Sequence, residues 1–536
     1  MALTQESLTA GRQQREQFST RWVFLLAAIG SAVGLGNIWR FPYVAYENGG
    51  GAFILPYMVA LLTAGIPLLF FDYAIGHRFK GSPPLAFRRL NRWTEAIGWW
   101  QVMICAVLGL FYAAILAWAT SYIWFSVTEA WGDDPEGFFF ADYLQATEQA
   151  EVSFQIVPGV FFPLLALWIL VLIILARGVG KGIGVAATIG MPLLVIMFVI
   201  LVGIGLSLPG AATGLDALFT PDWSALTSPE VWVAAYGQIF FSLSVGFGIM
   251  LTYASYLKRR SNLTGSGLVV GFSNSGFELL AGIGVFSVLG FMAQASGLRV
   301  DEVASSGIGL AFVAFPAIIS EAPLGLGPII GVLFFGSLLF AGITSLISIT
   351  EVVISGIMDK TGWSRARVVA IAGGLSAVVS LLAFSTTSGI HLLDVTDAFV
   401  NNIGIVGVSL VAVFVVSWVL FRLNELVRHL NSVSSFRLGW IYKILISVVM
   451  PVVLGITLVQ YILQVVNEGY GGMPSWYVGT FGWGMSALMV VLAVVVALIP
   501  WAKNSGTQDD QHEQDFDIKN TPRRADQPGT TQEVNQ

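Results

Sequence analysis

Charged residues are scarce in this chain. They make up 11% of its 536 residues, against about 25% in an ordinary soluble protein. Cysteine is nearly absent, and a single Cys105 excludes an intrachain disulfide. Histidine occurs four times at scattered positions, and no Cys/His spacing fits a zinc site. A nucleotide-binding glycine loop and a nucleophile elbow are both missing. An ATP-driven pump would need such a loop here or in a partner. An intramembrane enzyme would need a nucleophile–base pair or a cluster of metal ligands, and neither recurs in the apolar segments. The chain is therefore not expected to be an enzyme, and no nucleic-acid partner is expected. Residues 1–20 are polar, with no short apolar stretch and cleavage site, so no signal peptide is expected.

What the chain has in excess is apolar residues, at 56%. A membrane span needs roughly 20 predominantly apolar residues to cross about 30 Å of hydrocarbon. Twelve such runs lie near 22–46, 51–77, 96–127, 154–176, 182–206, 232–257, 266–295, 326–356, 366–384, 388–420, 438–464 and 477–501. The chain reads as an all-α polytopic membrane protein with twelve transmembrane helices in a lipid bilayer. The tenth run is long enough to tilt or to begin outside the bilayer.

Charge placement orients these spans. With a cytoplasmic N-terminus, the inside segments collect Arg12, Arg15 and Arg21, then Arg78 to Arg92, Arg177 and Lys181, Lys258 to Arg260, and Lys360 to Arg367. They continue with Arg422 to Lys443 and the tail, reaching 24 of the 26 basic residues. The outside loops hold only Arg299, and the 129–153 loop carries acids alone. This is the positive-inside rule repeated loop after loop. It predicts a multi-pass protein of the plasma (inner) membrane with both termini cytoplasmic. Residues 1–21 read as a cytoplasmic N-terminal segment. Residues 502–536, polar and poor in aromatics, read as a disordered cytoplasmic tail. The remaining basic residue, Arg40, lies inside the first run.

Two runs are interrupted by small residues. Gly30-Ser31-Ala32-Val33-Gly34-Leu35-Gly36-Asn37 breaks the first, and Phe241-Ser242-Leu243-Ser244-Val245-Gly246-Phe247-Gly248 breaks the sixth. Ala32-Val33-Gly34-Leu35-Gly36 and Ser244-Val245-Gly246-Phe247-Gly248 echo one another five spans apart, so the second copy enters from the opposite face. Small residues in a span otherwise serve close helix packing. Paired breaks at corresponding places in inverted halves point instead to a midplane site, because freed backbone groups are tolerated only around a cavity or ligand.

The string Ala32-Val33-Gly34-Leu35-Gly36-Asn37-Ile38-Trp39-Arg40-Phe41-Pro42-Tyr43, followed by Glu47-Asn48-Gly49-Gly50-Gly51-Ala52-Phe53, closely resembles the signature of the neurotransmitter:sodium symporter family. Gly237 to Ser244, Thr252 to Tyr256 and Ala341 to Ser345 extend the likeness, which covers about residues 15–500. It implies the LeuT-type fold: two inverted five-helix repeats (here 22–206 and 232–420), plus peripheral helices eleven and twelve in 438–501. The first and sixth helices would be unwound at mid-membrane.

The resemblance also implies ion and substrate sites. One sodium would use the Ala32 carbonyl, Asn37, Ser242 and Asn274, completed by the substrate carboxylate. A second would use the carbonyls of Gly30, Val33 and Ala341 with the hydroxyls of Thr344 and Ser345. All are oxygen donors, as a hard cation prefers. Taken singly, such hydroxyls more often bond backbone or a neighbouring helix. The substrate carboxylate would meet amides near Gly34, at a partially positive half-helix N-terminus, together with Tyr112. Its ammonium would face carbonyls around Ser31, Ala32, Phe241 and Ser242. Leu108, Phe241, Ser244, Phe247, Ser345 and Ile349 would select the side chain, and this mostly apolar set favours a neutral, hydrophobic amino acid. Relatives that carry monoamines place an aspartate where this chain has Gly34; GABA-type substrates, which lack the α-amino-acid geometry, stay open as an alternative.

Arg40 and Asp397, with Phe241 as a lid beneath them, would form the extracellular gate. Arg15, Phe18, Tyr256 and Asp359 would form the intracellular gate. Glu278 stands where chloride-dependent members have serine, so it would supply the negative charge itself; proton counter-flow through it is a further expectation. Asp72 matches a family acid and reads as structural. The chain is thus expected to be a chloride-independent symporter of a neutral amino acid with two sodium ions, working by alternating access. A channel or a substrate sensor on the same fold is the alternative. Substrate identity, stoichiometry and oligomeric state are open at this point.

Overall fold

The computed structural model describes residues 15–304, 307–503 and 505, which form helices joined by loops. The expectations for residues 1–14 and 506–536 lie outside the described residues. In chain order α1 (Arg21–Ala32), α2 (Leu35–Glu47), α3 (Gly51–Phe79) and α4 (Pro83–Leu90) lead to α5 (Arg92–Thr128), α6 (Pro158–Ala176) and α7 (Val179–Ser207). Next come α8 (Ala211–Phe219), α9 (Pro229–Ser242), α10 (Ile249–Ser255), α11 (Leu263–Ser296) and α12 (Gly307–Glu321). The chain ends with α13 (Gly327–Thr361), α14 (Arg365–Phe384), α15 (Gly389–Val419), α16 (Leu423–Val433), α17 (Trp440–Glu468) and α18 (Ser475–Leu498).

Ten of these helices are long and apolar enough to cross a membrane, and α1 with α2 makes an eleventh candidate span, bent by 56°. The sixth apolar run is not one helix. It divides into α9 and α10, of 14 and 7 residues, with Leu243–Gly248 between them. Ser244, Gly246 and Gly248 take φ of 51°, 84° and 96°, which a right-handed helix cannot accommodate. The protein is therefore an all-helical, multi-span membrane protein, as its composition required.

Lipid explains the outer surface. The peripheral helices α17 and α18 expose Val452, Ile456, Val459, Leu488, Val491 and Val495. A helix in water would turn such residues inward; in hydrocarbon they are the correct outer face. The interior is built around α5 and α13, which pack together more extensively than any other pair of helices. Helix α1 is enclosed by α7, α11 and α13, and α10 packs on α3 and α13. The two interrupted helices are thus held inside the bundle, where freed backbone groups can find protein partners.

At the C-terminal end, Ala502, the first residue of the expected tail, donates its N–H to the Lys360 carbonyl at 3.2 Å. Beside it the Trp501 indole donates to Glu95 Oε1 at 2.8 Å.

Candidate functional site

Helix α1 ends where Val33 turns extended, with its N–H still on the Ile29 carbonyl at 2.7 Å. Gly34 is also extended. Asn37 then restarts the helix: its Oδ1 accepts the Gly34 N–H at 2.9 Å and caps α2. The first turn of α2 therefore offers amides and a positive dipole end to the space beside the break. Tyr112 reaches there from α5, its hydroxyl 3.5 Å from the Leu35 N–H. A Cβ on Gly34 would lie 3.1 Å from the Tyr112 hydroxyl and 3.3 Å from Ser345 Oγ. The missing side chain leaves room there.

The second break is tied down by side chains from other helices. Asp72 Oδ2 accepts the Gly246 N–H at 2.9 Å, Gln101 Nε2 donates to the Gly246 carbonyl at 2.6 Å, and Cys105 Sγ donates to the Phe247 carbonyl at 3.2 Å. Each such bond is worth about 1 kcal/mol net, whereas an unmet backbone group in hydrocarbon costs several. Asp72, Gln101 and Cys105 thus keep the break tolerable. The two breaks also touch, since Ser244 Oγ donates to the Ser31 carbonyl at 2.9 Å.

Two clusters of oxygen-bearing groups result. In the first, Asn37 Nδ2 donates to Asn274 Oδ1 at 2.9 Å, and Asn274 Nδ2 donates to Ser242 Oγ at 2.7 Å. This joins α2, α11 and α9 beside Ala32. In the second, Thr344 Oγ1 lies 2.7 Å from the Gly30 carbonyl and 2.9 Å from that of Ala341. Ser345 Oγ is 3.3 Å from the Ser31 carbonyl and 3.2 Å from that of Ala341. Val33 is fully buried at the break between these clusters.

A cavity of about 670 Å³ opens beside the breaks. Ser31, Ala32, Gly34, Leu108, Tyr112, Phe241, Ser244, Phe247, Ser345 and Ile349 all line it. Ser242 does not: it is buried behind the wall with its hydroxyl on Asn274.

At the upper end of the cavity the Arg40 guanidinium lies 4.6 Å from the centre of the Phe241 ring. Asp397 lines the same space but is not in an ion pair with Arg40; its Oδ1 accepts from Asn401 Nδ2 at 2.8 Å. The structure brings the expected outer pair to one cavity without joining it.

Arg15, Phe18, Tyr256 and Asp359 do not line this cavity and form a network of their own. Arg15 Nη1 binds both Asp359 oxygens, at 2.9 and 3.1 Å, and its guanidinium lies 5.0 Å from the Tyr256 ring centre. Burial alone would lower the Arg15 pKa, but Asp359 and Tyr256 outweigh it and hold the pKa above its ordinary value. Phe18 donates its N–H to the Tyr256 carbonyl at 3.2 Å and packs edge-on against Tyr253. The network goes further than the sequence suggested. Tyr256 donates to Glu351 Oε1 at 2.5 Å, Glu351 grips Arg365 through two bonds of 2.7 and 2.8 Å, and Arg365 Nε reaches Glu16 at 2.8 Å. Glu351 is an acid inside the eighth apolar run, which is by itself a sign of function or pairing. Arg365 passes for one more inside-loop cation until its partner is seen.

Glu278, on α11 one turn past Asn274, is completely buried. Its Oε1 accepts from Gln238 Nε2 at 2.6 Å, and its other oxygen is bonded to the Tyr57 hydroxyl.

Comparison with known proteins shows the family. The sodium:neurotransmitter symporter family matches residues 15–135 and 133–504. An uncharacterized sodium-dependent transporter of Methanocaldococcus jannaschii is 40% identical over 486 residues, covering 91% of this chain and 97% of the relative. The human sodium- and chloride-dependent taurine transporter is 30% identical over 535 residues, covering 90% of this chain and 85% of its own. A bovine sodium- and chloride-dependent GABA transporter is 28% identical over 538 residues, covering 92% and 87%. The chain belongs to the sodium:neurotransmitter symporter family: it is a sodium-dependent solute transporter of the membrane, not an enzyme.

Proposed function

We propose that this transporter carries a neutral, apolar amino acid together with two sodium ions, by alternating access and without chloride. The observation that carries the reading is the meeting of both helix breaks at one cavity, where half-helix amides, carbonyls and hydroxyls converge. In this reading α9 and α10 are the two halves of one span, making twelve, arranged as two inverted five-helix repeats with α17 and α18 outside them. Both termini are cytoplasmic.

The substrate carboxylate sits against the amides of α2 and the Tyr112 hydroxyl, in the gap left by the absent Gly34 side chain. Its ammonium faces carbonyls at the breaks. Leu108, Phe247 and Ile349 supply an apolar wall that disfavours a charged side chain. The first sodium is held by Ala32, Asn37, Ser242, Asn274 and the substrate. The second is held by Gly30, Val33, Ala341, Thr344 and Ser345. These oxygens suit a hard monovalent cation. Arg40, Asp397 and Phe241 close the outer side; Arg15, Phe18, Tyr256 and Asp359 close the inner side. Glu278 balances the sodium charge in place of an external anion.

The names of the taurine and GABA relatives favour a second reading, a β- or γ-amino acid. One experiment separates the readings. Proteoliposomes carrying the full chain are given an inward sodium gradient, with all proteinogenic amino acids, taurine and GABA tested as labelled solutes. Concentrative uptake of an aliphatic amino acid, unchanged when gluconate replaces chloride, is the expected result. Accumulation of taurine or GABA alone would install the second reading. Sodium-dependent binding without accumulation of any solute would overturn symport in favour of a sensor.

A further inference from the structure

The outer end of the cavity holds more acid than the gate needs. Its charged lining residues are Arg40, Glu47, Asp394 and Asp397. Asp394 and Asp397 stand three residues apart on α15, on one side of the helix, and both line the cavity that Arg40 lines. Two carboxylates cannot share one Arg40 equally without weakening closure on either. Something must hold one of them aside.

Tyr470 is placed to do so. It belongs to the loop joining α17 to α18, two helices at the edge of the bundle, yet it lines the cavity. Its hydroxyl donates to Asp394 Oδ1 at 3.0 Å. Its ring packs edge-on to Phe399, one turn further along α15, with centres 6.1 Å apart. The loop reaches inward because Gly469 and Gly471, on either side of Tyr470, take φ of 78° and 57°, values an L side chain rarely adopts.

We propose that Tyr470 is a positioning residue of the outer gate: by occupying Asp394, it leaves Asp397 as the sole carboxylate partner of Arg40 when the cavity closes. The proposal rests on the reading of Arg40 and Asp397 as the outer closure. It gives the α17–α18 loop a part in transport although neither helix contributes to the breaks. Tyr470→Phe keeps the ring on Phe399 and removes only the hydroxyl. Asp394, freed, competes for Arg40 and the closed mouth loosens. Asp394→Asn removes the competitor, so it restores closure in the Tyr470→Phe background. A purely structural role for Tyr470 gives no such rescue.

The test uses the full chain in proteoliposomes with a reporter cysteine, Ala398→Cys, which lines the cavity; the native Cys105 is buried. The readout is the labelling rate by a cationic methanethiosulfonate reagent added outside, in sodium-free potassium buffer. Tyr470→Phe is expected to raise the rate about fivefold, the scale of one hydrogen bond. Asp394→Asn, alone or combined with Tyr470→Phe, is expected to stay within twofold of the parent. An unchanged rate in Tyr470→Phe, or a double variant as fast as Tyr470→Phe, overturns the proposal. The parent's rate in sodium against potassium tests the sodium-coupled reading separately: identical rates would undo that reading.

Discussion

The Glu278 carboxylate accepts a hydrogen bond from the Gln238 amide at 2.6 Å, and Gln238 lies one helical turn before Ser242 on α9. In the proposed reading a negative charge at Glu278 is thus coupled to the helix that carries Ser242, one of the proposed sodium ligands. An anion at this point lowers the cost of bringing sodium into a medium of low dielectric constant.

Replacing Glu278 by serine should therefore make uptake depend on chloride. The expected outcome is transport abolished in gluconate and recovered in chloride, measured in proteoliposomes under a sodium gradient. Chloride-independent uptake by the variant would show that the carboxylate is not the charge that matters.

Thr344 gives a test of the second sodium position. Thr344→Val removes the hydroxyl that contacts the Gly30 and Ala341 carbonyls while keeping the side-chain shape. Losing one oxygen ligand should raise the sodium concentration for half-maximal uptake by about tenfold, the scale of a charge-assisted bond. Thr344→Ser should stay near the parent. Identical sodium curves for all three would remove Thr344 from the ion site.

Gly36 tests the contact beneath the outer gate. A Cβ there would lie 2.1 Å from the Phe241 ring, so Gly36→Ala must push that ring off its place under Arg40. Overpacking of this kind costs about 1–3 kcal/mol. Substrate affinity should fall sharply while sodium still protects the protein thermally. Equal losses of both would indicate general unfolding instead.

The pair of Glu351 and Arg365 makes a stability prediction. Glu351→Gln leaves the buried guanidinium short of its counter-charge, and breaking such a pair costs about 3–5 kcal/mol. A clear drop in Tm is expected. Glu351→Leu combined with Arg365→Met should recover much of it, because apolar replacement of a whole buried pair is often close to neutral. No recovery would mean that the pair's ties to Tyr256 and Glu16 also matter.

Much of this protein was legible before its structure. Apolar run lengths reflect a direct constraint of hydrocarbon on each segment. The glycine and serine clusters at 30–37 and 241–248 marked both interruptions, because backbone conformation is a local property. The candidate site was legible as a set of residue types, since oxygen-bearing side chains within apolar runs stand out.

Partnership between distant residues was legible only through the family resemblance. That likeness grouped Asn37 with Asn274, 237 positions apart, although nothing in either neighbourhood names the other. Glu351, an acid inside an apolar run, called for a partner, but only folding showed it to be Arg365, at 2.7 Å. Tyr470 belonged to a loop between peripheral helices, with no mark that it would reach the cavity. Ser244 was expected on the cavity wall and the Ser242 hydroxyl beside an ion; in the structure Ser244 lines the cavity and Ser242 Oγ accepts from Asn274. The sequence by itself determined that the chain spans a membrane and where its helices give way, because lipid and backbone act on each segment separately. Which groups meet, which gate is joined and which only approached, depended on the packing of α1, α5, α11 and α13, since those distances exist only once the helices are assembled.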